Sequence, residues 1–161
     1  MSPSPLPRAR LAAIASELAG SPHRWRGLVR HDPHQRAFTR LRDDGDLEVW
    51  ILGWELDQGI ELHDHGGASG AFAVVEGELL ESHTDLDDRR PVASRTWKPG
   101  ETCSFGPAHV HDLVNRGPTL ATSVHVYSPR LSTMTFYDHR PASFLLPLWT
   151  ERSETGAVLV G

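Results

Sequence analysis

The chain has 161 residues, 39% of them hydrophobic and 23% charged, and a formal net charge of −5 at pH 7. That length can bury a core within one domain, and the composition is that of a folded globular protein rather than a disordered one. Lys and Arg are scattered rather than clustered on an acidic background, so there is no electrostatic footprint for a phosphate backbone and nucleic acid is not expected as a partner.

The start, Met1-Ser-Pro-Ser-Pro-Leu-Pro-Arg8, lacks the apolar stretch of a secretory signal, and no apolar run approaches the roughly eighteen residues that cross a bilayer. A cytoplasmic chain with no membrane partner is the expectation. Leu11, Ile14, Ala15 and Leu18 recur at i, i+3, i+4 and i+7, then Gly20-Ser21-Pro22 interrupts, which predicts one amphipathic helix. Trp25, Leu28 and Val29 suggest a further short helical turn, ended by His31-Asp32-Pro33 because a proline disfavours helix at the residue before it. From residue 36 the character changes to short β-branched or aromatic runs. These are Glu48 to Glu55, Ala71 to Val75, Glu78 to His83, Val110 to Asn115, Ala121 to Tyr127 and Met134 to Tyr137. Turn residues separate them: Gly66-Gly67, Glu76-Gly77, the Asp85 to Pro91 loop, Pro99-Gly100, Arg116-Gly117-Pro118 and Ser128-Pro129. Many short strands at such spacing predict a mainly β sandwich or small barrel. Cys103 is the single cysteine, which excludes an internal disulfide and a Cys-rich zinc module and fits a reducing compartment. The reading is one domain over 1–161, with a helical segment at about 8–30, a barrel at about 36–140 and an extension at about 141–161. That extension contains Pro147 and is expected to lie across the barrel or to be partly mobile.

Chemistry concentrates in the histidines. On a strand, residues two apart share a face, so His63 and His65 can grip one ion while Asp64 points away. Such pairs also arise by chance in a chain with ten histidines. Gly70 and Gly77 frame this pair, and His111 follows 46 positions after His65 and ahead of Asn115. His109 shares a face with His111. His23, His31, His34, His83 and His139 show no partner pattern and read as surface or cap residues. Ser123, His125 and Tyr127 alternate along one run, so their side chains point to one face, and a buried polar triplet of this kind needs its members to bond one another.

Gly59 to Gly77 looks like the first cupin motif and Gly100 to Asn115 like the second. Phe38-Thr39-Arg40, Ile60-Glu-Leu-His63-Asp-His65, Val74-Val-Glu-Gly77 and Ser123-Val-His125-Val-Tyr127-Ser-Pro129 narrow the match: from about residue 25 to 140 the chain resembles the cysteine dioxygenase, or thiol dioxygenase, family of the cupin superfamily. The resemblance implies a cupin jelly-roll with short N-terminal helices. It also implies Fe(II) held by His63, His65 and His111, with His109 as the rival third ligand and the His111-x-x-x-Asn115 spacing deciding for His111. Zinc could occupy the same nitrogens, but dioxygen activation needs a redox metal.

The implied reaction joins a small thiol and O2, with L-cysteine going to cysteine sulfinic acid. Tyr127 is the implied catalytic and substrate-positioning phenol, oriented by His125 and Ser123. Arg40 is the implied clamp for the substrate carboxylate, Arg42 being the residue it could be confused with, and Met134 is an implied part of the substrate wall. Two departures stand out. Gly70 occupies the place of the fourth, carboxylate ligand of most cupins and of the crosslinked cysteine of the animal form, and Phe38 replaces a tyrosine. Dioxygenases of 3-mercaptopropionate commonly carry glutamine at the place of Arg40, so Arg40 favours L-cysteine. The alternatives are oxidation of 3-mercaptopropionate or another small thiol, or a non-catalytic metal-binding cupin. A monomer is the expected state.

Overall fold

Leu11, Ala15 and Leu18 fall on one face of α1 (Arg8–Ala19), and all three are buried. The computed structural model describes residues 4–87, 91–140 and 144–152, and of residues 139, 140 and 144 the backbone alone. Expectations for residues 153–161, residues 88–90 of the Asp85 to Pro91 loop and the His139 ring lie outside that set. The helix stops at Gly20, whose N–H bonds the Ser16 carbonyl at 3.0 Å. Two 3-10 turns, Pro22–Arg24 and Arg26–Leu28, stand where a single helical turn is expected around Trp25. The Trp25 indole N–H donates to the Leu18 carbonyl at 2.8 Å and fastens these turns to the helix.

The strands are β1 (Ala37–Asp43), β2 (Glu48–Trp54), β3 (Gly59–His63), β4 (Ser69–Glu76), β5 (Leu79–Asp85), β6 (Ala93–Trp97), β7 (Thr102–Phe105), β8 (His109–Val114), β9 (Ala121–Ser128), β10 (Thr133–Arg140) and β11 (Phe144–Arg152). Every expected run is a strand. Those without a clear apolar run in the sequence are β1, β3, β6, β7 and β11. Most of β6 is exposed and β7 has four residues, so neither carries much apolar periodicity. The extension is a correction: as far as Arg152 it pairs with β10 as β11. Pro147 sits beside a register shift on this edge strand, where a missing N–H leaves no ladder partner unsatisfied.

Two antiparallel sheets result, ordered β1-β2-β9-β4-β7 and β11-β10-β3-β8-β5-β6. The fold is therefore mainly β. Trp50, Leu52, Trp54, Phe72 and Val74 of the first sheet meet Leu79, Leu113 and Phe136 of the second in the core between them. The outer face of the first sheet, with Val49, Ile51, Ala71, Ala73, Val124 and Val126, is covered by α1 over β4 and β9 and by the chain from Trp25 to Arg30, which reaches β2 at Gly53. This covering explains why β2 and β9 are buried along their whole length. It also fixes which residues of β9 face inward: Val124 and Val126 take the helix side, so Ser123, His125 and Tyr127 take the other. Among the described residues no helix is long and apolar enough to cross a membrane.

Candidate active site

His63 ends β3 and pairs across the sheet with His111 on β8. His65 lies beyond the strand, in the loop to β4, rather than on a strand as the spacing suggests. The backbone nevertheless stays pinned. The Asp64 N–H donates to the Thr135 carbonyl at 2.9 Å, Asp64 Oδ1 accepts the N–H groups of Gly66 and Thr135 at 3.0 Å each, and Asp64 Oδ2 accepts the Tyr137 hydroxyl at 2.6 Å. Asp64 thus turns toward β10 while its two neighbours face the cavity. Gly66 closes the turn at φ +60°, where an added Cβ would run into Thr133.

The three rings form a propeller. Centroids are 4.9 Å apart for His63 and His65, 4.8 Å for His63 and His111 and 4.9 Å for His65 and His111, with interplanar angles of 73°, 61° and 69°. One nitrogen from each ring lies within 4.8 Å of the others. His63 Nδ1 bonds the Glu61 carbonyl at 2.6 Å and His111 Nδ1 bonds the Glu81 carboxylate at 2.6 Å, so both rings hold their Nε2 lone pairs for the centre. Neither nitrogen of His65 has a hydrogen-bond partner among the described residues, although its ring is buried. A buried imidazole left unpaired is costly, and a cation at the focus of the propeller removes that cost. Burial, and then the neighbouring His111 ring, pushes His63 and His65 well below the ordinary histidine range, which leaves them neutral and able to ligate. These nitrogens fit a divalent transition metal.

His109 does not join the propeller. Its Nε2 lies 3.2 Å from Glu81, its ring stacks on Phe105 at 4.5 Å, and it falls in a second cluster with Glu81 and His111. Burial pushes the Glu81 carboxyl up, but hydrogen bonds from His109 and His111 outweigh it and hold the group well below the usual carboxylate range. Nor can position 70 carry a ligand in this packing. A Cβ on Gly70 would sit 2.5 Å from the Phe105 ring, which itself stacks on His65 at 4.6 Å.

Opposite the propeller, β9 contributes a continuous polar line. The Trp54 indole N–H donates to Ser123 Oγ at 2.8 Å, Ser123 Oγ lies 2.7 Å from His125 Nε2, and His125 Nδ1 lies 3.3 Å from the Tyr127 hydroxyl. Indole can only donate, and His125 Nε2 is the acceptor within reach of the serine proton. The remaining His125 Nδ1–H then donates to the phenol oxygen, which leaves the phenol proton free for a ligand. Burial lowers His125 to about 3, so the ring stays neutral, and burial pushes the Tyr127 phenol up, so it keeps its proton.

Tyr127 and His125 line a narrow cavity with His63, His111, Met134 and Arg36, whose volume is about 10 Å³. That is close to the roughly 10–15 Å³ one water needs, so the cavity is closed down around its polar lining and a substrate has to open it to enter. Met134, which the resemblance puts in the substrate wall, is among the residues lining this cavity. The guanidinium lining this cavity is that of Arg36, whereas Arg40 lies outside the lining. Arg36 sits 5.3 Å over the Trp54 ring and donates to the Gly59 carbonyl at 3.2 Å, and burial lowers it to about 10, still a cation at neutral pH. Arg40 pairs with Asp43 at 3.3 Å and lies 5.4 Å over the Trp50 ring. Arg42 bonds Asp44 and is exposed. Strand alternation carries Arg36, Phe38 and Arg40 to one face, but how far along that face the cavity lies is not written in the local sequence. Phe38 packs edge-on against Trp50 at 5.6 Å. Asn115 serves the frame: it donates to the Trp54 and Thr119 carbonyls at 3.0 and 2.9 Å and accepts the Gly117 N–H at 2.8 Å. Glu81 is the other site residue missed by sequence reasoning. Its only signal is an acid two residues after Leu79, on the inward face of its strand.

Residues 9–140 match the family model described as Cysteine dioxygenase type I. The rat protein named Cysteine dioxygenase type 1 is 26% identical over 140 residues, which cover 80% of this chain and 68% of the rat one. The human protein of that name has the same identity and coverage. Among solved structures, a protein from Thermus thermophilus superposes with a TM-score of 0.55 at 18% identity, over 65% of this chain and 93% of that one. A cupin superfamily protein from Desulfitobacterium hafniense gives 0.53 at 9% identity, over 65% and 86%. Both structural likenesses bear on the fold.

Proposed function

Because this chain belongs to the cysteine dioxygenase type I family and is a thiol dioxygenase of the cupin fold, we propose that it converts L-cysteine and O2 to cysteine sulfinic acid with Fe(II) as its metal. The observation that carries this reading is the propeller of His63, His65 and His111 at the end of a small cavity, with the Tyr127 phenol on the cavity wall. His63, His65 and His111 would hold a ferrous ion, which would supply the redox chemistry that links a thiolate to dioxygen. The balance is R–SH + O2 → R–SO2H: both oxygen atoms go to sulfur, and no outside reductant is consumed.

The roles of the side chains follow from their surroundings. His63, His65 and His111 are the metal ligands, all neutral, so a substrate thiolate brings the anion that the ligand set lacks. Arg36 is placed to meet the substrate carboxylate, since its planar fork can bond both oxygens and its partial burial strengthens the attraction. Tyr127 donates its free phenol proton to the bound substrate or oxygen, with His125 and Ser123 holding the phenol in place through the Trp54 anchor. Met134, Ile60 and Leu52 keep water out of the sulfur end of the cavity. Arg40, given the carboxylate by the resemblance, is outside the cavity lining and pairs with Asp43.

The test is an oxygen-electrode trace on ferrous-loaded protein given L-cysteine, with sulfinate quantified. One sulfinate per O2 supports the reading, and no oxygen uptake overturns it. One observation favours a second substrate. The preference for L-cysteine over 3-mercaptopropionate was drawn from Arg40, which is outside the cavity lining, and Arg36 can hold the carboxylate of either acid. Comparing kcat/KM for the two thiols decides between them.

A further inference from the structure

The ligand set is all imidazole, yet a buried anion lies one hydrogen bond behind it. Glu81 is 1% exposed and sits on β5 between two strands that both reach it. From β8, His111 Nδ1 lies at 2.6 Å and His109 Nε2 at 3.2 Å from Oε2; from β6, the Trp97 indole N–H lies at 3.1 Å from Oε1; and Cys103 Sγ lies 3.9 Å from Oε1. His63, by contrast, leans on a neutral backbone carbonyl, and His65 on no hydrogen-bond partner among the described residues.

We propose that Glu81 is a positioning residue that supplies, through His111, the negative charge no residue at position 70 can supply directly. This rests on His111 being a metal ligand. A carboxylate accepting Nδ1–H fixes the tautomer that presents Nε2 to the metal, and it draws the proton away, making the ring a stronger donor. Phe105 fills the space a side chain at 70 would need, so the anion acts from behind a ligand rather than beside it. The Trp97 N–H draws on the same carboxylate and limits how much of its charge His111 receives. Glu81 and His109 also line an open cavity of about 650 Å³ that shares no lining residue with the cavity at Tyr127.

The experiment compares Glu81→Gln and Trp97→Phe with the wild type, each stripped of metal and titrated with cobalt(II), reading affinity by chelator competition and the visible ligand-field bands. Iron-loaded samples give the Fe(III)/Fe(II) midpoint potential. Glu81→Gln keeps an acceptor for His111 but loses the charge, so affinity should fall about 10- to 100-fold and the potential should rise. Trp97→Phe frees charge for His111, so affinity should hold or increase and the potential should fall. A residue that merely filled space would move both variants the same way. If Glu81→Gln does not fold, the sign of the Trp97→Phe potential shift still decides. Wild-type protein that takes up no cobalt(II) overturns the metal reading and this inference with it. Wild-type protein that binds it, beside a Glu81→Gln variant with unchanged affinity and bands, overturns the role of Glu81 alone.

Discussion

Two glutamates are buried in facing sheets of this protein, and their carboxyls are shifted in opposite directions. Glu81 on β5 has N–H donors aimed at both oxygens from Trp97, His109 and His111, and it is held in the ionised form. Glu48 on β2 is fully buried, accepts the Leu131 N–H at 2.7 Å on one oxygen, and has no hydrogen-bond partner for the other among the described residues. Burial pushes its carboxyl up to about 7. Burial is common to both, so the number and direction of donors decides the charge. The charged glutamate backs the histidine propeller. Glu48 sits across β2 and β9 from Tyr127, in direct register with it, where its charge when ionised makes the phenol still harder to ionise.

The severest test of this contrast is His111→Ala, which removes both a metal ligand and the main partner of Glu81. Metal affinity should fall by more than about 100-fold, beyond the range for losing only a ligand's supporting carboxylate, and oxygen uptake should fall with it; retention of stoichiometric metal would break the assignment. Tyr127→Phe leaves the propeller intact. It should keep its metal and lose about 100-fold in kcat, and metal content measured beside turnover checks the separation.

Substitution at the two arginines sharpens the picture on the substrate side. Arg36→Gln should raise KM for a carboxylated thiol about tenfold or more, and Arg40→Gln should raise it less; the reverse order would return the clamp to Arg40. The smallest effect is on stability, and there the glutamates should differ in sign. Glu48 has a folded-state value above its unfolded one, so the stability tied to its proton is complete below about 4.5 and is lost as pH rises through about 7. Glu48→Gln escapes that loss, and urea melts at pH 8 should show it more stable than wild type by up to about 3 kcal/mol, with the gap closing at pH 4.5. Glu81→Gln at pH 8 should instead be less stable by about 2 kcal/mol.

Much of the site could be read from local spacing. His63 and His65 are two apart in extended chain, and Ser123, His125 and Tyr127 alternate on one strand, so backbone geometry alone gathers each set. The β9 alternation also separates the helix-facing valines from the inward polar line, since α1 needs an apolar surface to cover. Local spacing did not point to Arg36, which lines the cavity. Arg36 and Arg40 share a face, and a register irregularity between Arg40 and Arg42 where β1 meets β2 is not signalled by any residue pattern. The C-terminal hairpin was hidden by Pro147, whose missing N–H is harmless only because β11 is an edge.

The order of residues by itself determined the mainly β class, the covered helix face, the His63 and His65 pair and the Ser-His-Tyr line, because each depends on contacts two to four positions apart, whereas His111 reaches that pair through the pairing of β3 with β8. Only the tertiary structure decided that Arg36 lines the cavity, that the Phe105 ring occupies the space a side chain at Gly70 would take and that Glu81 stands behind His111. Those depend on which strands lie side by side and in what register, and that is set by the packing of the two sheets across their common core, not by any neighbour in the chain.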